Sequence, residues 1–398
     1  MYKKIFILFI IWRISLFIFA FIGGLFLPFT PRFPYSETLL VPTQLPYWIW
    51  SFANFDGVHY ITIANSGYMA QFTQVFFPLY PLIIRFVKTV LFDNYALISG
   101  LLVSNVSFLI SLFIFARLLE IDYKKDQILW IIVILLTFPS SFFFGGLYSE
   151  SLFFLFIISS FYFARKKHWL YSGLFGALSS AARLAGIFLL PSLLWEWYQQ
   201  TKTKTLKVKT PAKNTKSYHY FTKIFNFTYH LLHSPILYIV PLGFIIYMIY
   251  LQINYHDYLY FWHAQPVFGA SRSGTNIILL PQVIWRYIKI FTSVPPTVDS
   301  FFIPFLEFFA TITALIILFY SFRLSIRRSY IIFAIFSVLV PTLTGTFSSM
   351  PRYILVAFPI YIVLGTIKSK PVKLIILSIN LLLLSILTIL FTRGIWVS

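Results

Sequence analysis

The chain has 398 residues, 59% of them hydrophobic and 21% aromatic, with 31 basic and 11 acidic side chains, a net charge of +20 and a mean hydropathy of +0.83. That balance excludes an ordinary soluble domain and describes an all-α polytopic membrane protein. The absence of cysteine excludes disulfides, thiolate catalysis and cysteine-zinc sites, and the positive charge reads as the excess that keeps loops in the cytoplasm, with no nucleic-acid partner.

The first apolar window, IFILFIIWRISLFIFAFIGGLFL, follows MYKK. It is long for a signal peptide, carries Arg13 and has no small-residue cleavage site, so it is read as a first transmembrane helix. Hydropathy places spans at 5–27, 96–116, 128–145, 150–164, 236–254, 301–321, 330–345, 353–366 and 372–391. The segment 169–197 is flanked on both sides by basic stretches, ARKKHW and TKTKTLKVKTPAKNTK. A single crossing would put one of these outside, so two short helices that enter and return are expected, breaking near SSAARLAG and lining an enclosed cavity. Arg183 then sits deep and points inward.

With the N-terminus cytoplasmic, the extracytoplasmic loops are 28–95 and 255–300, and the basic loop 198–235 is cytoplasmic. All belong to one transmembrane domain, 1–398. No repeat of fixed period is visible. The run from Thr201 to Lys216 reads as a solvated linker, with lipid headgroups as a minor contact.

In NFDGVHYITIANSGYMAQ a helix beginning near Asp56 places His59 and Tyr60 on its face. An N-cap aspartate with an interfacial histidine and tyrosine explains the spacing as well as a catalytic pair does. The following FFPLYPLIIRF suits an interfacial helix. Glu150, in LYSESLFFL, suits a helix start or a carboxylate that binds acceptor hydroxyls. Arg183 is costly at depth unless it meets an anion, which makes it a candidate for function. Arg352, in MPRYILVAFPIYIVLG, reads as a snorkelling interfacial arginine or as a phosphate-binding fork. Neither a nucleotide-binding glycine loop nor a metal-ligand cluster is apparent in the sequence.

Taken in order, DGVHYITIANSGY, FFPLYPLIIR, LYSESLFFL, AARLAG, HAQPVFGASR and PRYILVAFPIYIVLG resemble the PIG-V-like mannosyltransferases of the GT-C glycosyltransferase superfamily. The resemblance runs from about Trp50 to Gly365. It departs from the family pattern at Phe55, where a tryptophan is common, and at Gln71, where an acid is. It implies a GT-C-like helix bundle with interfacial helices in a long first extracytoplasmic loop. It also implies inverting transfer of a sugar, typically mannose, from a polyprenyl-phosphate donor to a glycolipid or glycan acceptor, at the extracytoplasmic face of the plasma membrane or, in a eukaryote, the lumenal face of the endoplasmic reticulum. On this resemblance Asp56 is the catalytic base with His59 beside it, and Tyr60, Glu150, Arg183, His263, Gln265 and Arg352 contact substrate. No cofactor or metal is required, because the lipid-phosphate sugar is itself the donor. The alternative from hydropathy alone is a lipid flippase or secondary transporter, which should concentrate its charges near the bilayer midplane.

Overall fold

The computed structural model describes residues 1–31, 35–91, 95–205, 234–270 and 272–397. Most of the expected basic loop 198–235 therefore lies outside the described residues. Among those residues every regular element is helical. In chain order the α-helices are α1 (Tyr2–Phe26), α2 (Tyr47–Trp50), α3 (Asp56–Ser66), α4 (Leu79–Leu91), α5 (Ala96–Leu119), α6 (Lys125–Thr137), α7 (Glu150–Arg165), α8 (Trp169–Ala182) and α9 (Leu189–Thr205). There follow α10 (Leu242–Tyr255), α11 (Tyr260–His263), α12 (Leu280–Ser293), α13 (Ile303–Ser321), α14 (Arg328–Thr342), α15 (Met350–Tyr353), α16 (Pro359–Gly365) and α17 (Lys370–Thr392).

The stretches Tyr2–Phe26, Ala96–Leu119, Ile236–Tyr255, Ser300–Ser321 and Lys370–Thr392 are long and apolar enough to cross a membrane, since about 20 residues at 1.5 Å each span the hydrocarbon. Helix α1 shows why they need one. Ile5, Phe9, Trp12, Leu16 and Ala20 form a buried stripe, while Phe6, Ile10, Ile14, Ile18 and Phe21 are exposed. A helix apolar all round, covered by protein on one stripe only, has its other faces solvated by lipid. The chain is an all-α polytopic membrane protein. Arg13 is tolerated in α1 because its guanidinium stacks 4.1 Å over Phe17 and 4.7 Å over Phe52.

The segment 169–197 enters and returns as its flanking charges require. Helix α8 ends at Ala182, Arg183 is extended (φ −156°, ψ 149°), and a 3₁₀ turn over Leu184–Phe188 leads into α9. Gly186 makes the break possible: a Cβ there would lie 2.4 Å from Ser180 N, so no other residue lets the turn fold onto the end of α8. At the far ends of the two helices Trp169 meets Trp197 with ring centres 4.7 Å apart, and Gln200 donates to the Ala164 carbonyl (3.1 Å). Arg183 is thus at the apex, level with the first turn of α7, and not midway down the bundle.

Two expected spans are interrupted. Over 128–145, α6 stops at Thr137 and a 3₁₀ turn follows over Ser141–Phe144, because Pro139 supplies no N–H to continue the helix. Over 353–366, α15 and a 3₁₀ turn precede α16, which begins at Pro359. At the end of the bundle opposite Arg183, Glu196 of α9 accepts from Arg327 Nη2 (2.6 Å) and Ser329 Oγ (2.7 Å). Arg165 there donates to Asp122 (2.8 Å) and to Tyr330 (2.9 Å). These bonds clamp α7, α9 and α14 together and leave the other ends of α7 and α9 to build a site.

Candidate active site

Helix α3 starts at Asp56, as its sequence requires, and the residue before it is held in a sparsely populated conformation: Phe55 has φ 60° and ψ −118°. A bulky residue there is strained by about 1–3 kcal/mol, offset by its ring packing on Phe391 and Trp396. The first turn packs closely on the 146–148 turn: a Cβ at Gly57 would lie 3.3 Å from Ala53 Cβ and 3.4 Å from the Leu147 carbonyl oxygen. At the other end Arg85 of α4 donates to the carbonyl of Ala64 (2.8 Å), which the helix C-terminus leaves open, and to that of Ile63 (3.2 Å), which also accepts from Gly67 N (2.8 Å). Helix α4 buries Tyr80 and Ile84 and exposes Leu82, Phe86 and Val90, a stripe suited to lie against lipid.

Four charges from distant parts of the chain meet at this end. Arg352 of α15 donates from Nη1 to Asp56 Oδ2, and Arg183 from Nη1 to Glu150 Oε1. Arg352 Nε lies 3.4 Å from the same Glu150 oxygen, so the order is Asp56, Arg352, Glu150, Arg183, alternating in sign. The Glu150 side chain is 1% exposed and that of Asp56 17%. Burying a carboxylate so deeply is costly unless it is paired, and two arginines pair it. Aromatic rings enclose Arg352: Phe143, Tyr148, Tyr353 and Trp396 centre 5.5–5.8 Å from its guanidinium carbon. Tyr60 donates to Ser149 Oγ (3.0 Å), which Arg183 also approaches (3.4 Å).

A cavity of about 650 Å³ opens over this cluster. Asp56, His59, Tyr60, Arg183, Gln265 and Arg352 line it, joined by Gln71, Ser149, Arg272, Ser348, Ser349 and Tyr353. Its other wall is apolar, formed by Phe153, Leu184, Phe188, Val340, Pro341 and Val356. Phe188 stacks on Phe336 (5.6 Å), whose ring is exposed on the outside of the bundle. The cavity thus pairs a polar floor with an apolar wall that is backed by a ring exposed at the surface of the bundle. Burial pushes the His59 imidazole below its ordinary value, against the opposing pull of Asp56, so the ring is neutral at neutral pH. The Tyr60 phenol is pushed well up, first by burial and then by Glu150.

Of the residues singled out by sequence, Glu150 lies beneath the arginines and is not among the lining residues. His263 is not among them either: its Nδ1 is 2.7 Å from Asp257 Oδ2, and its side chain is 47% exposed. The short turn at 260–263 places His263 beside Asp257 while Gln265, two residues on, reaches the cavity. Sequence reasoning did not assign Gln71, Ser149, Ser348, Ser349, Tyr353 or Trp396 to the site. Gln71, Ser149, Ser348, Ser349 and Tyr353 lie in or beside motifs already chosen for a charge, whereas Trp396 lies outside every one of them.

The family profile described as Mannosyltransferase (PIG-V) matches residues 5–259. The chain belongs to this family. Membership makes it a glycosyltransferase of the membrane that acts on mannose, with a sugar donor and a glycan acceptor as substrates. The matched region holds Asp56, His59, Tyr60, Glu150 and Arg183, whereas Gln265, Arg272 and Arg352 lie beyond it. A search of curated proteins finds no match to the chain.

Proposed function

We propose that this mannosyltransferase uses a polyprenyl-phosphate mannose donor and transfers the sugar with inversion to a hydroxyl of a glycolipid or glycan on the extracytoplasmic side, with Asp56 as general base and no metal or cofactor. The observation that carries the reading is a single cavity with Asp56 on a polar floor, cations beside it and an apolar wall backed by the exposed ring of Phe336. An amphiphile with an anionic head and an apolar tail matches both halves, with the tail against Phe188 and Val340.

The reaction needs one base and one stabilised leaving group. Asp56 takes the proton of the acceptor hydroxyl as its oxygen bonds to the anomeric carbon. The bond from that carbon to the phosphate oxygen breaks on the opposite face, and its electron pair stays on the phosphate. Phosphate leaves well once its growing charge is met by preorganised cations, so no strong acid is required. Arg352 holds the Asp56 carboxylate through Oδ2, which leaves Oδ1 for the acceptor. Neutral His59, one turn along α3, supplies a hydrogen bond to a sugar or acceptor hydroxyl.

Purified protein supplied with polyprenyl-phosphate mannose labelled in the sugar tests this directly. Release of polyprenyl phosphate together with labelled acceptor is expected. Absence of both, with protein that remains monodisperse, removes the donor assignment.

A further inference from the structure

We infer that Arg272, with the hydroxyls of Ser348 and Ser349, forms the subsite that holds the donor's phosphate, a deepening that rests on the function proposed above. The starting point is the charge around the cavity. Asp56 and Glu150 are already matched by Arg352 and Arg183. An entering phosphate that recruited either arginine would strip a partner from a carboxylate, and Glu150 is 1% exposed. Breaking a buried pair in this way is strongly unfavourable. The four residues hold one another and carry no surplus charge for a ligand.

Arg272 is different. It lines the same cavity, and no carboxylate lies within ion-pair distance of it among the described residues. Its side chain bonds from Nη2 alone, to Ser348 Oγ and Ser349 Oγ, each 3.3 Å away and each neutral. The acid whose charge it feels, Glu307, is buried behind the turn and accepts from Tyr287 (2.7 Å). A guanidinium has five N–H donors in a planar fork suited to phosphate oxygens. Most of that fork is uncommitted here.

The cation is also held still, which is what a preorganised site requires. The chain after it is pinned by Ser273 N to the Thr344 carbonyl (2.8 Å) and Ile278 N to the Leu343 carbonyl (2.9 Å). The turn carrying the serines is fixed from below, where Phe347 N donates to Tyr287 Oη (3.0 Å). Ser349 has φ 68°, a conformation that costs an ordinary residue energy and that the turn maintains. Arg352 N donates to the Ser349 carbonyl (3.1 Å), so the serine pair adjoins the arginine that holds Asp56. The leaving group and the arginine that holds the base would then lie on neighbouring parts of one turn, and Arg272 meets the charge that grows on phosphate as the glycosidic bond breaks.

The test is a binding titration of polyprenyl monophosphate, the leaving group, on the purified full chain, with donor turnover measured in parallel. Arg272→Ala is expected to weaken binding and lower turnover by about 10²-fold. Arg272→Lys should recover part of both, because a point charge lacks the fork. The double change Ser348→Ala and Ser349→Ala should weaken binding several-fold, and exposed Lys289→Ala should leave it unchanged. The serine pair decides the matter if Arg272→Ala does not fold. If the natural chain binds and transfers, and the Arg272 or serine variant binds equally well, the subsite is elsewhere while the proposed function stands. If the natural chain neither binds polyprenyl monophosphate nor releases it, the donor assignment fails and this subsite with it.

Discussion

Asp56 and Arg352 are 296 residues apart and share a hydrogen-bonded ion pair on the floor of the cavity. The arginine brings α15 to the first turn of α3 and fixes the orientation of the carboxylate. Its second neighbour, Glu150, lies 3.4 Å from Nε. One side chain therefore couples the proposed base to the start of α7, and through Glu150 to the apex at Arg183.

Asp56→Asn is expected to leave the protein folded and able to bind donor while transfer falls by about 10² to 10⁴. The amide keeps the shape and can still accept from Arg352, but it cannot take a proton. Turnover by purified variant under saturating donor is the measurement, and wild-type rates would remove Asp56 from the role of base.

Arg183 and Glu150 should prove coupled in stability. Removing one partner of a buried pair costs about 3–5 kcal/mol because the other charge is left uncompensated. Arg183→Ala should therefore lower the melting temperature, and adding Glu150→Gln should restore much of it, giving a coupling of about 0.5–3 kcal/mol in a double-mutant cycle. Strict additivity would mean that Arg352 alone satisfies Glu150.

Much of this arrangement was legible in the sequence, for physical reasons that differ by residue. The return of the chain at Arg183 followed from basic residues on both flanks, because charge restricts which side a loop occupies. The start of α3 at Asp56 followed from helix-end chemistry. The partners were not legible. Arg352 at a helix start reads as a snorkelling side chain, yet it is 8% exposed, because Phe143, Tyr148 and Trp396 from two other segments join its neighbour Tyr353 in closing over it. Glu150 reads as a helix cap and does begin α7, but its tertiary pairing depends on contacts that no local pattern encodes. Proline at 139 and 359 marked the interrupted spans, and hydropathy averaging concealed it.

His59 should make the fold lose stability in mild acid. Burial depresses its folded-state value below the ordinary 6.5, so below that pH the unfolded chain binds more protons than the folded one. Stability then rises with pH through this window and falls as pH drops from 6.5 toward the folded value. Melting temperatures from pH 7.5 down to 5 should decline for the natural chain and decline less for His59→Gln. Parallel curves would show that other groups govern the acid limb.

The proposed extracytoplasmic placement of the cavity can be tested with single cysteines, since the chain has none of its own. Met69 is 82% exposed in the loop after α3, on the cavity's side of the bundle. Lys166 is exposed at the end of α7 that lies opposite Glu150. Lys370 is exposed at the start of α17; this helix runs toward Arg393 and Trp396, and Trp396 lines the cavity. Met69→Cys should therefore react with an impermeant thiol reagent added to intact cells, whereas Lys166→Cys and Lys370→Cys should react only after the membrane is opened. This ordering follows from two independent features, the excess of lysine and arginine in the loops expected inside and the return of the chain between α8 and α9. Labelling of Met69→Cys only in opened cells, with the other two accessible outside, would invert the enzyme and require its donor to be presented from the cytoplasm. Labelling of Lys166→Cys and Lys370→Cys from opposite sides would mean that the number of crossings between them is odd, and the reversal at Arg183 would have to be abandoned.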